Sequence, residues 1–249
     1  VRAILDNFTQ HVGDVERLIA FDREVMQVAI SAVEDLHRRL VEKHIDNEQM
    51  NGARTLQILK GIRDHGSLKP SYSLILNQAI VLLVSYFGSA VEDIFSFAVT
   101  SAMRKGSSPR LMKQDMKVTV GDLIEVTSNP DDAISALLIE KKDLSFQDMQ
   151  AIHRAFRDYV DVEVEQDSTV NNIILAQACR HVIVHAGGEV TPRLVRQVSG
   201  AVPRDLKAQL DGASVVQFSQ DEVRIVAESM KGYLAALVEK TESVLHLPG

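Results

Sequence analysis

The stretch LILNQAIVLLVSYFGSAVEDIF, residues 74–95, constrains the fold more than any other part of this chain. Its apolar residues follow one another too closely to form a single stripe, and a helix that is apolar on most sides must be buried. It nearly reaches membrane-spanning length, but Asn77 and Gln78 interrupt it and Glu92 and Asp93 close it. It therefore reads as the buried helix of a soluble domain, within a helix running from about 72 to 104. Aromatic residues are only 5% of the chain and Trp is absent, so the core must come from Leu, Ile, Val, Ala and Met, which favours helix packed on helix.

The remaining periodicities agree. Ile4, Phe8, Val12, Val15, Leu18 and Ile19, followed by Met26, Ile30, Val33, Leu36 and Leu40, predict a helix over 3–47, with a bend at Gly13. A break follows at 46–52, then a short amphipathic helix over 53–63 and a loop, DHGSLKPS, around Gly66 and Pro70. KGSSP ends the apolar helix at 106–109. Shorter pieces are expected near 121–127 and after Asn129-Pro130. Ser145 is the expected cap of a helix to about 160, with Phe146, Met149, Ile152, Phe156 and Tyr159 or Val160 inward. Asp167 and Ser168 open a further helix, which Gly187-Gly188 ends. Pro192 and Pro203 start short turns or helices, and ASVVQFS, 213–219, reads as a short strand. Ser219 and Glu222 make a capping box for a last helix, with Val223, Val226, Met230, Leu234, Leu237, Val238 and Leu245 on one face. The expected fold is all-α, with one short β-hairpin near 189 and 216 and a boundary near residue 70: an N-terminal helical extension over 1–70 and a helical domain over 71–249.

Charge and cysteine content narrow the function. A net charge of −7 argues against coating nucleic acid by charge alone, while leaving room for a local basic site. One cysteine, Cys179, permits no intrachain disulfide and no cysteine-based zinc site; set among apolar neighbours, it reads as a core residue. VRAILDNF carries Asp6 and Asn7 where a secretory leader needs apolar residues, so a reducing cytoplasm and no membrane are expected.

The chemistry concentrates in ACRHVIVHAGGEVTP, 178–192. On an α-helix Gln177, Arg180, His181 and His185 fall within an arc of about 140°, broken only by Val184. Leu175, Ala178, Cys179, Val182 and Ile183 take the rest. A surface face would normally carry Lys and Glu, and this one has neither. Buried carboxylates such as Glu92 or Asp93 could satisfy the cations structurally. His181 and His185, four apart, could instead share a metal ion, though Val182 stands where the zinc-protease helix has its Glu and no third ligand is evident. These readings stay open on the residues alone.

Arg180-His181-Val182-Ile183-Val184-His185, an R-H-x-x-x-H string at the end of an apolar helix and followed by Gly-Gly, resembles the signature of the HEPN superfamily. The apolar helix with Glu92, the 145–160 helix and the glycine turn are similar to the RiboL-PSP type of HEPN protein. The resemblance spans roughly 70–246; residues 1–70 lie outside it. It implies a HEPN-type helical bundle and a metal-independent endoribonuclease without cofactor, with Arg180 and His185 catalytic and His181 supporting. Gln177 and Glu92 would stand behind them. It implies a homodimer with a composite site at its interface, RNA as substrate, and a role as a toxin or antiviral defence effector with an antitoxin or defence partner. Arg193, Arg196, Arg204 and Lys207, opposed only by Asp205, give residues 191–208 a local charge of +3 that would lead RNA to the site. The alternatives are a non-catalytic interaction module of the same fold and a metal-dependent hydrolase built on His181 and His185.

Overall fold

The computed structural model describes residues 1–43, 52–64, 69–106, 108, 110–128, 130–210 and 214–245. The break expected at 46–52, most of the loop around Gly66 and the turn at Asn129 lie wholly or partly outside these residues. Among the described residues the chain is all-α. Its helices are α1 (Arg2–Glu42), α2 (Gly52–Asp64), α3 (Lys69–Lys105), α4 (Val120–Ser128), α5 (Pro130–Lys141), α6 (Met149–Val160), α7 (Ser168–His185), α8 (Pro192–Val198) and α9 (Gln220–Val244), with one 3₁₀ turn at Leu111–Lys113.

The apolar segment is the axis of the bundle. Residues 73–105 are long and apolar enough to cross a membrane by composition. Here α3 packs against α1, α5, α6, α7 and α9. Ile80, Leu83, Phe87, Val91, Ile94, Phe95, Ala98 and Val99 are all fully enclosed. Asn77, the polar interruption of this run, is buried with its hydrogen bonds made. Its Nδ2 donates to the Val216 carbonyl at 2.9 Å, and its Oδ1 accepts from the Phe218 N–H at 3.4 Å. The amide thus ties the chain before α9 to the central helix.

Helix α1 continues through Gly13 without a break. Its first half delivers Phe8, Val12 and Val15 to the core shared by α3 and α9. The helix also pairs with α2, and its middle exposes Leu18, Phe21, Val25 and Val28, spaced three, four and three residues apart. The hairpin expected near 189 and 216 reduces to a single antiparallel bridge between Glu189 and Val215, with no strand among the described residues. Pro192 lies at the first turn of α8, where its missing N–H is no loss, and Thr191 caps that helix.

Capping explains two helix starts. Helix α6 begins later than expected because Asp148, not Ser145, is its cap: the Asp148 carboxylate accepts from the Ala151 N–H at 2.8 Å. A carboxylate can reach the free N–H groups of a first turn and also favours the positive end of the helix dipole. Ser219 and Glu222 form the expected capping box of α9, and Glu222 does more. Its carboxylate also accepts from the N–H groups of Lys207 and Ala208, at 2.9 and 2.8 Å, where Ala208 and Gln209 turn the backbone with positive φ. Burial pushes the Glu222 carboxyl up, but the backbone donors of Ser219, Ala208 and Lys207 outweigh it and hold it below its usual range.

Glu222→Ala should therefore cost about 1–2 kcal/mol in urea denaturation at neutral pH, since it removes a cap and strands backbone donors. A depressed carboxyl stabilises the fold above its unfolded pKa and loses that contribution as pH falls through the folded value. The gap between wild type and variant should accordingly close in acid; a gap independent of pH would argue against the carboxylate's role.

Candidate functional site

Helix α7 is buried from Val170 to Cys179, apart from a half-buried Ile174, and ends at the surface. Asp167 caps it, accepting from the Val170 N–H at 2.9 Å. Ile173, Leu175, Ala176, Ala178 and Cys179 are buried against α3 and α9. The Cys179 thiol is pushed up to about 12 by burial, so it is neither exposed nor ionised near neutrality. After Arg180 the helix emerges: Arg180 is half-buried, and His181, Val184 and His185 face solvent.

The polar face read from the sequence is thus graded along its length. Gln177, at its inner end, is buried, and its Oε1 accepts from the Met149 N–H at 3.0 Å, satisfying a free donor in the first turn of α6. Its Nε2 is buried without a partner. Arg180 lines a cleft of about 250 Å³ with Val84, Ser85, Gly88, Ser89 and Glu92 of α3 and Phe146 and Gln147 of the loop before α6. Its Nε is likewise buried without a partner. Arg180 and Glu92 therefore share one cleft, and neither forms an ion pair among the described residues. Asp93, the other carboxylate considered for Arg180, lies instead in a small cavity with His11 and Tyr86, where burial pushes its carboxyl up.

One turn on, the His181 and His185 rings stand 4.9 Å apart, centre to centre, tilted by 52°. Two imidazoles alone make a poor metal site, and the described residues hold no group of three or more His, Cys, Asp or Glu side chains placed to bind one ion. The helix ends at the expected glycines. The Val182 carbonyl accepts from both the Ala186 and Gly188 N–H groups, at 2.9 and 2.8 Å. Gly187 and Gly188 take φ of +59° and +80°, and a Cβ on Gly188 would lie 3.2 Å from Val215 Cγ1. The turn can thus fold back onto 214–216 and leave His185 at the exposed tip.

The basic segment after the turn is divided in purpose. Arg193, Arg196 and Lys207 are exposed. Arg204 is half-buried, and its guanidinium donates to the carbonyls of Val198 and Ala201, both at 2.9 Å, and of Leu206, at 3.3 Å. It closes the loop after α8, and most of its donors are occupied there.

Two residues passed over in the sequence reading hold this segment to α7. Asn171 donates to the Pro203 carbonyl at 2.9 Å. Asn172 donates to Asp205 and to Ser229, both at 3.2 Å, and accepts from the Asp205 N–H at 3.0 Å. The signal was present as an Asn pair inside an apolar helix, since buried amides require partners. No family model, curated protein or solved structure matches the chain.

Stability measurements can separate the two kinds of arginine. Arg204→Ala should lower unfolding free energy by about 1–3 kcal/mol, because three carbonyls lose a charged donor. Arg193→Ala and Arg196→Ala should stay within about 0.5 kcal/mol of wild type. Equal effects at all three positions would contradict this division.

Proposed function

We propose that this chain is a metal-independent endoribonuclease of the HEPN kind, acting as a homodimer with a composite site. The observation that carries the reading is the surface end of α7. Arg180, His181 and His185 lie within two turns, and no carboxylate pairs with any of them among the described residues. An unpaired guanidinium beside two accessible imidazoles suits a phosphodiester. Arginine can hold two phosphate oxygens as negative charge builds up on the phosphorane. Histidine can take the proton of the ribose 2′-OH, or give one to the departing 5′-oxygen. The 2′-oxygen forms a bond to phosphorus as the bond to the 5′-oxygen breaks, leaving a 2′,3′-cyclic phosphate and a 5′-hydroxyl.

A second copy completes the site. Arg180 and His185 point about 140° apart on their helix, so one helix presents them poorly to a single phosphate. Two α7 ends across a two-fold axis would supply two arginines and two pairs of histidines to one groove, and a two-fold dimer is the commonest oligomer. The exposed Val184 between the histidines offers an apolar contact at such an axis. Arg193, Arg196 and Lys207 would attract the strand.

One observation favours the second reading, an interaction module without catalysis. The exposed stripe Leu18, Phe21, Val25 and Val28 on α1 has the spacing of a helix-pairing seam.

Purified protein incubated with total RNA tests the proposal. Cleavage should survive EDTA and leave cyclic phosphate ends. Arg180→Ala and His185→Ala should each cost ~10²-fold or more in rate, with the protein still folded. Arg180→Lys should fail as well, because an ammonium lacks the forked contact, while His181→Ala should be milder. Loss of activity in EDTA, restored by zinc or manganese, would move the assignment to the His181/His185 pair. Absence of cleavage by wild type would leave the interaction module.

The assembly is testable separately. Light scattering at micromolar concentration should report a dimer; a monomer there would count heavily against the composite site.

A further inference from the structure

The ribonuclease reading gives Arg180 a direct role but Glu92, which shares its cleft, only a supporting place behind it. Glu92 is exposed on α3 and faces the cleft with Ser85 and Ser89 of the same helix. An unpaired guanidinium and an unpaired carboxylate in one small cleft set contradictory demands on a simple ligand. A lone phosphate would gain Arg180 and be repelled by Glu92. A neutral hydrophobic molecule would cover the guanidinium and the carboxylate and give neither a partner, which is costly. The ligand that meets both demands carries an anionic oxygen beside a hydroxyl donor. A ribonucleotide does so, with its phosphate next to the ribose 2′-OH. Val84, Gly88 and Phe146 give the cleft an apolar wall against which a sugar can rest.

Resting on the ribonuclease reading, we propose that Glu92 is the specificity-determining residue of the cleft: Arg180 holds a phosphate oxygen, and Glu92 accepts a hydrogen bond from the 2′-hydroxyl of the ribose on the leaving, 5′-oxygen side of that phosphate, not from the attacking one. The site then selects RNA by its one distinguishing donor rather than by base sequence. A carboxylate is suited to this, since it only accepts, and a charged acceptor makes the stronger hydrogen bond.

The test is binding, read by fluorescence anisotropy with His185→Ala protein so that RNA survives. The probes are two short oligonucleotides of one sequence, RNA and its fully 2′-fluoro counterpart, which keeps the RNA-like sugar pucker and lacks the donor. With Glu92 present, RNA should bind about tenfold tighter, the scale of one hydrogen bond to a charged group. Glu92→Ala should abolish the difference by weakening RNA alone. Glu92→Gln, which keeps an acceptor oxygen, should retain most of it. If Glu92→Ala shifts both probes equally, Glu92 acts only as a charge and the proposal is overturned. RNA cleavage by wild type with discrimination untouched by Glu92→Ala overturns this inference alone. Failure to bind either probe overturns it together with the nuclease reading.

Discussion

A helix with apolar residues round most of its circumference can be kept from water only by neighbours on every side, and α3 has them in α1, α5, α6, α7 and α9. The hydrophobic effect is non-directional, so it fixes the central position of α3 but not how the surrounding helices are held in register. That falls to a few buried polar contacts. Asn77 binds the backbone at 216 and 218, Gln177 binds the start of α6, and Asn172 binds Asp205 and Ser229. Each pins one element to a helix that packing alone would allow to slide. An unmade buried hydrogen bond costs more than a made one gains, so these amides act chiefly by penalising the wrong register.

The same contacts position the candidate site. Helix α7 is anchored near its start by the contacts of the buried Asn171 and Asn172 and along its middle by the core, so its far end is held like a rod set in a wall. Gln177 fastens the loop before α6 against α7 one turn before Arg180. Phe146 and Gln147 of that loop then form one side of the cleft and α3 the other. The cleft is therefore built where α7 is tied to the start of α6 by a hydrogen bond and both pack on α3, which suits a site that must hold side chains in place with little reorganisation.

Helices were legible in the sequence wherever apolar spacing was strong. All seven residues assigned to the inner face of α9 are buried, as are Phe146, Met149, Ile152, Phe156 and Val160 around α6. Misreadings arose where spacing says little. Ser145 and Asp148 are both good caps, and only the path of the loop decides between them. The expected strand at 213–219 has alternating apolar residues, but Val216 and Phe218 are buried in the core and, among the described residues, no extended partner faces the segment beyond the single bridge. The role of Arg204 could not be read either. A guanidinium that closes a loop and one that meets a ligand look alike in a list of residues, because the difference lies in which carbonyls come within reach.

The polar arc on α7 was legible as an arc, but its gradient was not. A helical wheel projects out the axial coordinate, and that coordinate separates a buried Gln177 from a solvent-facing His185. Position along the helix also assigns the chemistry. Deep residues on the face, with fixed surroundings, suit orientation and selection. Residues at the tip stay hydrated, so a histidine there can exchange protons with water. Arg180 lies between these regimes: its Nε is buried while the residue still borders the open cleft. An arginine fully in water would pay to desolvate on meeting a phosphate, and one fully buried would need a carboxylate to offset its charge. At the edge it has already lost part of its hydration and has gained no counter-ion among the described residues, so on the proposed reading a phosphate oxygen would meet a guanidinium whose desolvation was partly met when the chain folded.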